Sequence, residues 1–566
     1  MQNYTQSRRN FLKLAALAGC AGVVSVFPGR RLLAADLTRE LTISEGRITV
    51  DGEDTRAIMM GGSVPAPVLR WREGETVVIH VHNALDEPTS VHWHGLLLEG
   101  VMDGAPGFNG YQAIPAGETY TYRFELRQSG TYWYHSHSAL QEQAGMYGAI
   151  IIDPAGRDPV RADRDYVVLL SDHTRENPGA VLSNLKAMPG YYNKGKRTVG
   201  DFFRDIRLDG LGRAMQDRLD WGDMRMDPTD LADVTGYRFL VNGRGPEDNW
   251  TGLFEPGERL RLRFINASAM SFFDVRLVDL PMTVVAADGQ YVAPVRVDEF
   301  RFGVGETLDV VVRPTEERAF TLLAEPLDRS GYARATLAPR EGMSAEIPPL
   351  RPRVELSMAD MGAMHAGMGH GDHGAMDHGS MDHSAHGGMD HSAHGAAMPD
   401  AAPPERLVGW EQAGTAPGLK ALSYADLRSL APNADTREPE HEILIRLTGI
   451  MERYIWTLNG RRFVEDEPIR VQYGQRVRLR FVNETMMAHP MHLHGMFMEL
   501  ENGQDGFLPR KHVVVVPPGQ EVSAVLTANE PGDWPFHCHL LYHMASGMMT
   551  RFIVEPTQVA NLERGS

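Results

Sequence analysis

Cysteine is nearly absent from this chain, with 2 in 566 residues. Long apolar runs are scarce too: the N-terminal one, Leu14 to Phe27, is too short and too interrupted by glycine to span a membrane. No membrane span is therefore expected in the mature protein. The residues before that run, Ser7-Arg8-Arg9-Asn10-Phe11-Leu12-Lys13, form a twin-arginine pattern. Together they read as a Tat export signal over residues 1–35, cut after Ala35, which makes the Tat machinery a partner and the periplasm the destination. The first cysteine, Cys20, lies inside this signal. Cleavage leaves Cys538 alone, so the exported protein must be stable without an intrachain disulfide. Leu17-Ala18-Gly19-Cys20 also resembles a lipobox that would retain Cys20 as a lipid anchor. That reading ranks second, because the apolar run continues past Cys20 toward Ala34-Ala35. Positive charge is the remaining deficit: 56 basic against 74 acidic residues give a formal net charge of −18. This balance suits solubility and a cationic substrate, and argues against nucleic-acid or anionic-membrane partners.

The length allows three or four domains, and an internal repeat favours three. Glu73-Gly74-Glu75-Thr76 precedes VVIHVHN, Pro256-Gly257-Glu258-Arg259 precedes LRLRFIN, and Tyr473-Gly474-Gln475-Arg476 precedes VRLRFVN. A second turn recurs at similar distances, at Ala116-Gly117-Glu118, Val304-Gly305-Glu306 and Pro518-Gly519-Gln520. Period-two strands rich in Val, Thr, Tyr and Arg, punctuated by Gly and Pro, predict Greek-key β-sandwiches or barrels at about 36–160, 161–345 and 430–566.

The chemistry-bearing residues fall in four blocks. In His537-Cys538-His539-Leu540-Leu541-Tyr542-His543, strand alternation points Cys538 to one face and His537 and His539 to the other. Cys538, His543 and Met548 are three of the four groups of a blue-copper site, which also needs a second imidazole. The block His489-Pro490-Met491-His492-Leu493-His494 offers three candidates for it. His92-Trp93-His94 and His135-Ser136-His137 add two His-x-His pairs near the N-terminus. The middle repeat has Phe273-Asp274-Val275-Arg276 in the corresponding place, so it keeps the sandwich without the ligands.

This four-block pattern resembles the multicopper oxidase family at every ligand position. The resemblance implies an all-β fold of three cupredoxin-like Greek-key domains, the second without copper ligands, and four coppers as the cofactor. It implies a type 1 copper on His489, Cys538, His543 and axial Met548. It further implies a type 2 copper on His92 and His492, and a type 3 pair on His94, His135, His137, His494, His537 and His539. The cluster would lie where the first and third domains meet, with electrons passing from Cys538 to His537 or His539 and O2 reduced to water. Asp103, in Met102-Asp103-Gly104, matches an acidic position that family members use for proton delivery near the cluster. An Asp before Gly in a β-turn is the competing reading. Met544 stands where some relatives carry an acid, leaving the second proton route open.

Three stretches carry less certain meaning. His80 and His82 lie on a repeated strand whose counterparts hold Arg and Phe, which marks them as structural. Residues from about 190 to 235 are charged and helix-permissive, with no legible role. Between the second and third repeats, a linker over 346–429 encloses a Met/His tract from Met358 to Met398, in which Met376-Asp377-His378, Met381-Asp382-His383 and Met389-Asp390-His391 recur. With little apolar bulk to bury, the tract is expected to be disordered. Thioethers favour Cu(I) and imidazole accepts either oxidation state, so those six residues are candidate ligands for accessory, labile copper. Methionines also crowd the type 1 region at Met451, Met486, Met487, Met491, Met496, Met498, Met544 and Met549, most of them expected to be core packing. Tract, export signal and C-terminal block together most resemble the CopA-type branch of periplasmic copper-resistance oxidases. That branch implies Cu(I) or another small reducing substrate, O2 as acceptor and copper carriers as partners. A laccase-like phenol oxidase and a non-catalytic copper store are the rival readings.

Overall fold

The computed structural model describes residues 37–223, 227–352, 414–465 and 467–556. The export signal, Cys20 and the tract residues Met376, His378, Met381, His383, Met389 and His391 lie outside the described residues. Among the described residues no helix is long and apolar enough to cross a membrane.

Six sheets form three pairs, and the repeat read in the sequence reappears as a repeated strand order. Leu37–Val50 runs parallel to Thr76–Asn83, Arg164–His173 to Leu260–Asn266, and His441–Ile450 to Arg476–Asn483. On its other side each second strand pairs antiparallel with the strand after the second turn, at Thr119–Glu125, Thr307–Val312 and Glu521–Thr527. In Thr76–Asn83 every second residue is buried. Val77, Ile79 and Val81 therefore enter the core with Trp71, Trp93, Tyr134 and Ile150 of the facing sheet. His80 and His82 take the other face, where their Nδ1 atoms meet Thr121 Oγ1 at 2.8 Å and Thr119 Oγ1 at 3.1 Å. They pair across the strands with these threonines.

The asparagine that closes each repeated strand has a shared job. Asn83, Asn266 and Asn483 are fully buried. Each Oδ1 accepts the backbone N–H two residues on, from Leu85, Ser268 and Thr485. Each Nδ2 donates to a carbonyl of a later strand or turn, at Ile114, Phe302 and Val516. One amide thus turns the chain and pins it to its own sandwich, satisfying backbone groups that the core would otherwise strand. In the first and third sandwiches the histidine block follows that pinned turn.

The second sandwich is built of two six-stranded sheets and carries an insertion of three helices, Pro178–Ala187, Val199–Asp209 and Leu211–Asp223. Asn177 caps the first, and Thr198 and Asp201 form a capping box on the second. Residues after the tract join this sandwich as well: Ala421–Leu422 adds a parallel edge strand beside Glu299–Phe302. A buried ionic seam binds the first and second sandwiches, with Asp309 accepting from Thr131 Oγ1 at 2.7 Å and from Arg261 Nε at 2.9 Å.

Candidate metal centres

Strand register sorts the C-terminal candidate ligands. His489–Leu493 pairs antiparallel with Gly532–Cys538, with Met491 opposite Cys538 and His492 opposite His537. Residues opposite each other share a face, and alternate residues return to it. His489 therefore joins Cys538 on one face, and His492 joins His537 on the other. His543 reaches the first face from the short helix Leu541–Ala545, and Met548 follows it, its carbonyl accepting the Cys538 N–H at 3.1 Å.

At the first centre, Cys538 Sγ lies 3.6 Å from His489 Nδ1 and 3.8 Å from His543 Nδ1, and the two nitrogens are 3.3 Å apart. Cys538, His489, His543 and Met548 are completely buried. The outer nitrogens are tied down: His489 Nε2 shares a 2.7 Å hydrogen bond with Thr485 Oγ1, and His543 Nε2 donates to Asp233 Oδ2 at 2.6 Å. Trp456 stacks on His543 at 3.8 Å, and Tyr454 donates its hydroxyl to the same Asp233 oxygen at 2.6 Å. These contacts leave both Nδ1 lone pairs facing the sulfur. Burial holds the His489 ring well below its ordinary range and pushes the Cys538 thiol up, so the thiolate waits for a cation to stabilise it.

The second centre gathers eight imidazoles from all four blocks. His94 Nδ1 is 3.4 Å from His135 Nε2 and 3.2 Å from His539 Nε2. His494 Nε2 is 3.1 Å from His537 Nε2, and His137 groups with these two. The rings of His92 and His492 lie 5.8 Å apart. The opposite nitrogens fix which atoms carry protons. Nδ1 of His92 donates to the Asp103 carbonyl at 2.9 Å, His492 to the His512 carbonyl at 2.8 Å, and His494 to Asp103 Oδ2 at 2.8 Å. His537 donates from Nδ1 to the Cys538 carbonyl at 3.0 Å and His135 to the Ser136 carbonyl at 3.0 Å, with Glu142 Oε2 also 2.8 Å from the latter nitrogen.

Those five rings consequently present Nε2 as a bare lone pair. The 3.1 Å approach of His494 to His537 has no proton to share, and the Nε2 atoms of His92, His94, His137 and His492 are buried without a hydrogen-bond partner. Converging lone pairs repel unless cations lie among them, so the donor set fits bound metal, the second nitrogen of those five rings being oriented from outside. Burial keeps the rings neutral: His94, His135, His492, His494 and His537 are held well below the ordinary imidazole range, His137 at about 4 and His539 at about 3.

Asp103 is buried and touches both sides of the cluster, His92 through its carbonyl and His494 through its carboxylate. Three neighbours escaped the sequence reading. Asp233 comes from the unread stretch after the inserted helices. Glu142 follows the second His pair by five residues, and His512 packs edge-on against His94 at 4.8 Å. None lies at a spacing that marks it; each arrives through tertiary packing. Of the methionines near the first centre, Met486, Met487, Met491, Met496, Met498 and Met549 are buried core residues, and Met451 and Met544 pack against that core.

Residues 42–157, 164–342 and 436–558 each match the family described as multicopper oxidase. Copper resistance protein A of Escherichia coli is 46% identical over 97% of this chain and 99% of its own length. Multicopper oxidase MmcO of Mycobacterium tuberculosis is 30% identical over 96% of each chain. The laccase of Botrytis aclada shares the fold, with a TM-score of 0.64 at 21% identity over 92% of this chain and 88% of that one. The family matches reach all three sandwiches, and identity at the level of the Escherichia coli relative extends over nearly the full length: this chain belongs to the multicopper oxidase family.

Proposed function

We propose that the chain is a periplasmic copper-resistance oxidase that takes one electron from each of four Cu(I) ions and delivers them with four protons to O2, giving four Cu(II) and two waters. In this reading His489, Cys538, His543 and axial Met548 hold a type 1 copper, and His92 and His492 a type 2 copper. One type 3 copper falls to His94, His135 and His539, and the other to His137, His494 and His537. Bound copper supplies the one-electron steps and the reduction of O2. The carrying observation is that proton-free ring nitrogens converge at 3.1 Å beside a thiol site whose own peptide neighbours, His537 and His539, belong to the convergence.

The chain's residues account for the rest. The peptide chain joins Cys538 to His537 and His539, so an electron on its sulfur would have a covalent route to either neighbouring imidazole. Asp103 holds rings from two sandwiches in register, and its carboxylate is the acid placed to hold a proton at the cluster. Near-complete burial of the cluster rings shields it from bulk water. Asp233, bonded to His543 Nε2 at 2.6 Å, sets an acidic side chain beside that ring, which favours a cationic reductant over a neutral phenol. The name of the Escherichia coli relative agrees with a role in copper resistance.

Export by Tat rests on the Arg8-Arg9 pattern, with lipidation at Cys20 as its rival. The Met/His tract is read as an accessory copper collector, loaded by copper-carrier proteins. The chain divides into a signal at 1–35, cupredoxin domains at 36–160, 161–345 and 430–566, and a linker at 346–429. Oxygen uptake by copper-reconstituted protein tests the activity. Uptake faster with Cu(I) than with phenols is expected; faster uptake with phenols would make the enzyme laccase-like, and none at full copper would make it a store.

A further inference from the structure

We infer that Glu142 is a positioning residue of the histidine cluster, retaining copper there by accepting the His135 Nδ1 proton. This rests on the reading of His135 as a cluster ligand. Both side chains are almost wholly buried, at 3% and 2% exposure, and Glu142 Oε2 lies 2.8 Å from His135 Nδ1. The other carboxyl oxygen, Oε1, is buried with no hydrogen-bond partner.

A buried carboxyl with half its acceptor capacity unused is costly, and its surroundings make this one worse. Asp172, also buried, acts on Glu142 electrostatically and spends its own oxygens on Ala269 N, Met270 N, Ser271 Oγ and Gln143 Nε2. Among the described residues no lysine or arginine is paired with Glu142. The fold nevertheless holds it firmly. Its neighbour Gln141 accepts from Thr89 Oγ1 at 2.7 Å and Ser136 Oγ at 2.8 Å, and donates to Glu87 Oε1 at 2.8 Å. The Glu142 carbonyl takes the N–H of Gly145, at φ +119.

An acid so placed does little for the metal-free fold. Its one productive contact is with His135 Nδ1, which also faces the Ser136 carbonyl at 3.0 Å, and together they aim the His135 Nε2 lone pair at His94 and His539. Metal on Nε2 makes the opposite N–H a stronger donor, and a carboxylate facing that proton strengthens the ring as a ligand. Burial that is unfavourable without copper becomes favourable with it.

The test compares full-length wild type, Glu142→Gln and Glu142→Leu after copper reconstitution. Copper release from the oxidised protein into a Cu(II) chelator is timed, the blue absorbance of the Cys538 site is followed as an internal reference, and melting is measured with and without copper. Glu142→Leu should release cluster copper about 10–100-fold faster than wild type, with blue absorbance retained and metal-free melting unchanged or raised. Glu142→Gln, which keeps an acceptor, should restore most of the retention. Wild-type release rates in Glu142→Leu, equal loss in both variants, or a metal-free melting point lowered as far as the loaded one would overturn the positioning role. Wild type that takes up a single copper would overturn the cluster reading itself, and this inference with it.

Discussion

At the residue scale, two of the three carboxylates that face the clustered imidazoles from outside each bridge something the rings alone do not. Asp103 joins rings from two sandwiches; Asp233 joins the inserted segment of the second sandwich to His543 in the third. Removing the Asp233 charge in Asp233→Asn should raise the reduction potential of the blue centre, because a nearby buried anion stabilises the more oxidised ion. A carboxylate roughly 6 Å away at an effective dielectric near 20 predicts a rise on the order of 100 mV, readable by redox titration of the blue band. An unchanged or lower potential would show that Asp233 acts only through the hydrogen bond. Asp103→Asn should lose cluster copper about 10–100-fold more readily while keeping the blue band, as measured by copper content after dialysis against chelator. The residues that converge were legible because metal chemistry dictates the type of a candidate ligand and strand geometry its spacing. Asp233, Glu142 and His512 were not, since an outer partner needs only to arrive in space.

At the element scale, the recurring device is the strand that ends in a buried asparagine and feeds a histidine block. Asn483 sits directly before the turn that carries Thr485 to His489, and Thr485 Oγ1 bonds both Asn483 Oδ1 at 2.9 Å and His489 Nε2 at 2.7 Å. Asn483→Ala strands buried backbone groups and should cost about 1–3 kcal/mol per unsatisfied group, with a shifted blue band as the bound ring loosens. The corresponding Asn266→Ala should cost comparable stability and leave the band alone, since among the described residues the residues grouped with Cys538 lie in the third sandwich. Denaturant melts and visible spectra of the two variants check this together. The sequence displayed these strands through their repeated turns and alternation, because burial on one face of a sheet imposes a period of two. It did not display the edge strand Ala421–Leu422, too short for any period.

At the scale of the whole molecule, the fold is a frame that brings the first and third sandwiches together over a cluster of imidazoles. Metal-free protein should therefore be acid-sensitive. His137 and His512 are held at about 4 and His539 at about 3 in the folded chain, against about 6.5 when unfolded. The unfolded state takes up protons that the folded state refuses, so stability present above about pH 6.5 is lost as pH falls toward those values. The loss should approach about 1.4 kcal/mol per pH unit for each such ring, as followed by urea melts between pH 7 and 4. Deleting residues 358–398 should weaken copper handling and leave the blue colour intact; loss of colour would make the tract structural.

The most direct measurement is the copper count of fully reconstituted protein together with the fraction of that copper visible by electron paramagnetic resonance. Four coppers per chain, with two silent because they lie close enough to couple, is the expected result. A single copper, or a full complement in which every ion is visible, would mean that the eight imidazoles do not form a shared cluster.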